Sequence, residues 1–116
     1  MIKAARTTSN TAQESLHDIA SKVTPIAHQY GISEVYVFGS AARGEMTSDS
    51  DIDIVYSMKG TPRTYEIAQN IKKDLTLALG RPVDTLEKET LLLNAKRSNA
   101  SQIFLDSIAP DLVRIV

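Results

Sequence analysis

The chain has 116 residues, 42% hydrophobic and 23% charged, which is the length of one domain and the composition of an ordinary soluble globular protein. It contains no cysteine, which excludes disulfides, thiolate metal sites and a cysteine nucleophile and fits a cytoplasmic location. With 13 basic and 14 acidic residues the net charge is −1, so long nucleic acid is not the expected partner; the polar residues 1–10 do not read as a signal peptide, and no apolar run reaches the roughly 18 residues of a membrane span.

Residues 7–13 are polar and read as a frayed start. Leu16, Ile19, Ala20, Val23, Ile26, Ala27 and Tyr30 follow helical spacing, and Gly31 is a natural stop. Pro25 falls inside that pattern and is expected to kink or split the helix, because it lacks a donor and clashes with the preceding turn. Glu34–Phe38 alternates and is rich in β-branched and aromatic residues, which predicts a strand. Residues 40–44 read as a helical turn, 46–50 as a loop and 51–56 as a second strand. Gly60 and Pro62 punctuate. A helix marked by Tyr65, Ile67, Ala68, Ile71, Leu75, Ala78 and Leu79 then runs to Gly80. Residues 82–86 read as a third strand, 87–96 and 101–108 as helices, and 112–116 as an apolar tail or edge strand after Pro110. Interleaved helices and strands predict an α/β or α+β fold, a small mixed sheet flanked by helices, in a single domain over residues 1–116.

The informative stretch lies between the first two strands. Residues two apart in a strand share a face, so Asp51 and Asp53 project together while Ile52 and Ile54 face the core. Asp49 and Asp51 have the same spacing, but their flanks are loop-like, which favours the second pair. Adjacent carboxylates oppose each other's ionisation unless a cation lies between them. Magnesium, a hard ion that takes carboxylate and phosphate oxygens, suits the site. Asp84 completes a three-carboxylate cluster if its strand lies beside the second. Such a cluster can hold two ions roughly 3.5–4 Å apart, the arrangement that clamps a phosphoryl displacement.

At the other end, Gly39 permits a sharp turn and close approach of a ligand. Ser40 opens a helical turn whose free N–H groups suit a phosphate. Arg43 adds a forked cation, and Gly44 lets the turn end in a left-handed conformation. Singly, each piece has an ordinary structural reading, as turn, strand edge or surface charge. Jointly, a strand, a Gly-Ser pair, a polar loop and two aspartates alternating with core residues form a specific pattern.

Gly39-Ser40-Ala41-Ala42-Arg43-Gly44, followed by Ser50-Asp51-Ile52-Asp53-Ile54, resembles the signature of the DNA polymerase beta-like nucleotidyltransferase superfamily, and within it the minimal nucleotidyltransferases. The resemblance covers residues 34–86 by motif. It implies magnesium binding by Asp51 and Asp53, with Asp84 as third carboxylate, and Gly39, Ser40, Arg43 and Ser50 at the nucleotide. It further implies ATP as donor and a HEPN-domain toxin as partner, in a hetero-oligomer. AMP would pass to a tyrosine of that toxin, and the chain would act as antitoxin. At this length there is no room for the second domain of larger relatives, so the acceptor is expected to arrive on a partner.

Two other readings stand beside this one. The chain can silence a toxin by occlusion alone, using apolar residues 91–93 and 104–108. It can also act on a small molecule, against which the missing second domain argues. His17 and His28 are not expected to be ligands. Tyr36, Tyr56 and Tyr65 are expected to pack, with self-modification of one of them left open.

Overall fold

The computed structural model describes residues 2–47, 49–59 and 64–116, with side chains inside the first helix from residue 16 onward. Its elements run α1 (Ile2–Tyr30), β1 (Glu34–Phe38), α2 (Ser40–Arg43), β2 (Ile52–Ser57), α3 (Tyr65–Leu79), β3 (Val83–Glu87), α4 (Lys88–Arg97) and α5 (Asn99–Ile108). A 3₁₀ turn (Ala109–Asp111) and a short β4 (Val113–Arg114) follow.

The four strands form one sheet in the order β3-β2-β1-β4. β1 pairs antiparallel with β2 and β4, whereas β2 and β3 are parallel. That parallel pair needs a long crossover, and α3 supplies it. The sheet is therefore mixed, and β4 is an edge strand as the apolar tail implied.

Alternation sends the two sides of each strand to different helices. Val35, Val37, Ile52, Ile54 and Val83 pack with α1 and α3 through Val23, Ala27, Ile71 and Leu75. On the opposite face Phe38 and Val55 pack with Leu91 of α4 and Ile108 of α5. Each fully buried aliphatic side chain contributes roughly 1.5–3 kcal/mol, which holds the strand ends in fixed register.

Several expectations shift by a residue or more. β2 begins at Ile52, not at 51, and β3 spans Val83–Glu87 rather than 82–86. α5 begins at Asn99 rather than 101. Pro25 does not split the first helix, which is continuous from Ile2 to Tyr30. Pro25 itself is exposed, while Val23, Ile26 and Ala27 around it are buried. Their packing outweighs the roughly 3 kcal/mol that an internal proline costs. The polar stretch 7–13 belongs to the same helix, so it is not a frayed start. Tyr56 is buried, but Tyr65 is 81% exposed and is not a packing residue. Gly60 and Pro62, expected to punctuate before α3, lie outside the described residues. Among the described residues no helix is long and apolar enough to cross a membrane.

Candidate active site

The end of β1 sets the geometry. Phe38 pairs with Asp53, and there the antiparallel ladder stops. Gly39 leaves the strand at φ 73° and ψ −148°, a conformation that only glycine adopts without strain. α2 follows at once, anchored by buried Ala41 and closed by Gly44 at φ 71° in the left-handed region. Ser40 therefore opens a short helical turn as expected, and the first-turn N–H groups lack intrahelical acceptors.

Gly39 lies against Asp53. A Cβ placed on Gly39 would stand 2.6 Å from Asp53 Oδ2. The absent side chain is thus the space in which the carboxylate sits. On the other flank Asp53 is in register with Asp84 across the parallel β2–β3 pair. Asp53 is half-buried, and Asp51 and Asp84 are exposed. Burial pushes the Asp53 carboxyl above the ordinary range, and the nearby charges of Asp84 and Asp51 push it further.

Asp51 is not part of β2. It immediately precedes the strand, and the ladder does not include it. The peptide groups on either side of its Cα are held instead by the segment leading into β3. The Ser50 carbonyl accepts a hydrogen bond from the Arg81 guanidinium at 3.1 Å, and the Ile52 N–H donates to the Pro82 carbonyl at 3.0 Å. Arg81 also donates to the Thr47 carbonyl at 2.9 Å.

The structure thus gathers Asp51, Asp53 and Asp84 at one end of the sheet beside the Gly39-Ser40 turn. Among the described residues, however, no three Asp, Glu, His or Cys side chains stand at the spacing of a ready-made metal cage. No lysine or arginine among the described residues pairs with any of the three aspartates. A carboxylate set with a raised Asp53 suits a hard divalent ion such as magnesium.

Two predicted nucleotide contacts are otherwise engaged. Arg43 pairs with Glu45 and with Asp111 of the 3₁₀ turn, each at 2.7 Å. The Ser50 hydroxyl accepts from the Thr47 N–H at 2.9 Å, closing the loop on itself. His17 and His28 are both exposed on α1, apart from this group. Sequence reasoning missed Asp111 and Arg81. Both act across long stretches of chain, and no local spacing marks them, although a cation two residues ahead of Val83-Asp84 was a visible hint.

The comparisons with known proteins agree with this architecture. The nucleotidyltransferase domain family matches residues 21–107. A Methanocaldococcus jannaschii protein, provisionally named a protein adenylyltransferase, is 33% identical over 72 residues, which is 62% of this chain and 76% of that protein. The protein adenylyltransferase MntA of Thermococcus cleftensis is 32% identical over 84 residues, 69% of this chain and 84% of that protein. A crystal structure of a toxin-antitoxin with AMP-PNP superposes with a TM-score of 0.52 at 23% identity, covering 59% of this chain and 56% of that one. At that identity the likeness speaks for the fold, a mixed sheet flanked by helices of the polymerase beta-like kind. With the Gly-Ser turn closed onto an aspartate at the start of β2, and a match across most of its length, the chain belongs to the nucleotidyltransferase domain family.

Proposed function

We propose that this nucleotidyltransferase is a magnesium-dependent protein adenylyltransferase that moves AMP from ATP to a hydroxyl on a partner toxin and so serves as its antitoxin. One observation carries the reading: the glycine turn suited to phosphates and the Asp53 carboxylate occupy a single place, with no side chain between them. The names of the two curated relatives support adenylyl transfer to protein. The structural neighbour, a toxin-antitoxin holding an ATP analogue, supports the nucleotide and the partner class. A tyrosine of a HEPN-domain toxin is the acceptor that the motif resemblance implies.

In this reading Gly39 and Ser40 seat the triphosphate through backbone N–H groups. Asp51 and Asp53, with Asp84, are the residues that would hold magnesium, which when bound supplies charge neutralisation at the phosphates. The acceptor oxygen attacks the α-phosphorus, the bond from that phosphorus to the bridging oxygen of the β-phosphate breaks, and pyrophosphate leaves. Asp84 takes the hydroxyl proton. Its exposure suits a group that must meet an acceptor arriving from solvent, whereas half-buried Asp53 is held in place by the fold. Catalysis then rests on positioning and charge complementarity.

The test incubates the chain with its toxin, ATP and magnesium and weighs the toxin. A gain of one or more AMP units, absent with Asp53→Asn, is expected. A toxin silenced with unchanged mass would replace transfer by occlusion. Leu92, Leu93, Ile103 and Phe104 are exposed enough to serve that alternative, whereas Leu91 and Ile108 are core residues.

A further inference from the structure

Asp51 poses a structural problem. It is exposed and lies one residue outside β2, and its side chain has no hydrogen-bond or ion-pair partner among the described residues. Yet the proposed chemistry needs its carboxylate beside Asp53. Something other than the β1–β2 ladder must fix its backbone.

The hydrogen bonds around it answer this. The peptide preceding Asp51 presents its carbonyl to Arg81 at 3.1 Å. The peptide following it donates to Pro82 at 3.0 Å. Both peptide planes that orient the Asp51 Cα are therefore tied to two consecutive residues, and Asp84 follows only two positions later. The same guanidinium nitrogen holds the Thr47 carbonyl at 2.9 Å. That carbonyl also accepts from the Ser50 N–H at 3.1 Å, and the Ser50 Oγ accepts from the Thr47 N–H at 2.9 Å. Residues 47 and 50 thus form a closed turn with Arg81 at its mouth. Pro82 cannot donate to a ladder and supplies only a carbonyl, so the donor needed to fasten the loop falls to Arg81. A guanidinium has several N–H groups in a fixed fork and cannot lose its charge.

We propose that Arg81 is a positioning residue: it fastens the loop carrying Asp51 to the strand carrying Asp84, and so sets the separation of the carboxylates on which transfer depends. This rests on the adenylyltransferase reading. It goes beyond it in assigning the geometry of the acidic group to a side chain that has no role in the proposed transfer itself. Second-sphere contacts of this kind change cation affinity or activity by about 10–100-fold when removed.

The test compares wild type, Arg81→Met, Arg81→Ala, Arg81→Lys and Asp53→Asn. Amide exchange at Ser50 and Ile52 reads the clamp without any turnover, and an acceleration of about tenfold is expected in Arg81→Met, with the helices and the other strands unchanged. Manganese(II) affinity, read by calorimetry, is expected to fall about 10–100-fold, and kcat for transfer to fall similarly with little change in KM for ATP. Arg81 lines an open cleft of about 240 Å³ with Lys22 and Met46, so added guanidinium ion is expected to restore part of the lost rate in an Arg81→Ala variant. Should Arg81→Met destabilise the fold, Arg81→Lys, which keeps the charge on a single donor nitrogen but loses the fork, is expected to fold and show intermediate exchange and affinity. Unchanged exchange at Ser50 and Ile52, or faster exchange with manganese affinity intact, would overturn the proposal. Wild type that transfers nothing would remove the adenylyltransferase reading, while exchange and manganese binding still decide the clamp. Activity lost in Asp53→Asn but fully kept in Arg81→Met would sink the clamp alone.

Discussion

The Asp53 carboxylate stands where a side chain on Gly39 would begin: a Cβ on Gly39 would approach Asp53 Oδ2 to 2.6 Å. Gly39 caps α2 just beyond β1, and Asp53 lies in β2. Replacing Gly39 by Ala brings two separate penalties. The backbone at φ 73° and ψ −148° strains any residue with a Cβ, by about 1–3 kcal/mol. The clash is relieved more cheaply, because the Asp53 side chain can swing, but it swings away from where the reaction needs it. Gly39→Ala is expected to lower kcat by about 100-fold and to lose stability by the strain alone. Chemical denaturation and initial rates separate the two effects.

Asp53 carries a charge that the fold disfavours, first through burial and then through Asp84 and Asp51. Its folded pKa lies above its unfolded one, so the native state holds the proton more tightly. Stability therefore falls as pH rises from the ordinary carboxylate value through the raised folded one. Asp53→Asn removes this slope. The variant is expected to melt higher than wild type at pH 7 and equally at pH below the carboxylate range, while losing at least about 100-fold in transfer. Melting curves against pH check the first part. A variant no more stable at pH 7 would contradict it.

Arg43 is held by two carboxylates, Glu45 and Asp111, each at 2.7 Å. A phosphate that uses this guanidinium must compete with both. Removing one competitor by Asp111→Asn is expected to lower KM for ATP by up to about fivefold. Arg43→Met is expected to raise it by about tenfold, the loss of one charge-assisted contact. Initial rates over an ATP series give both values. Opposite signs would show that the Asp111 link serves only to fasten α2 to the C-terminal turn.

Glu34 anchors the opposite end of β1. Tyr36 donates to it, and Lys88 and Lys59 surround it, and together these hold its carboxyl down at about 2. The stabilisation is present above the ordinary carboxylate pKa and is lost as pH falls from about 4.5 toward about 2. Glu34→Gln is expected to cost on the order of 2 kcal/mol at pH 7, with the difference shrinking in that window. Urea titrations at pH 7, 4 and 2.5 test it.

Local pattern sufficed where the physics is local. The alternation of Ile52 and Ile54 with Asp53 decides which face of β2 carries Asp53, because strand side chains have a period of two, whereas Asp51 falls one residue before the strand. The Gly39-Ser40 turn and the Gly44 stop are likewise legible, since glycine alone relieves those dihedrals. Pro25 misled because propensity is judged within the helix, whereas buried neighbours on the sheet decide whether the helix continues.

The sequence by itself determined the strand and helix types, the face of β2 on which Asp53 stands and the glycine turn at residue 39, all set by backbone geometry within a few residues. Only the tertiary structure decided that Asp84 stands in register with Asp53, that Arg43 is taken up by Asp111, and that Arg81 holds the loop of Asp51. Those contacts join residues about 30 or more positions apart. Their partners are selected by the pairing of β3 with β2 and by the return of the C-terminal turn, which no local periodicity encodes.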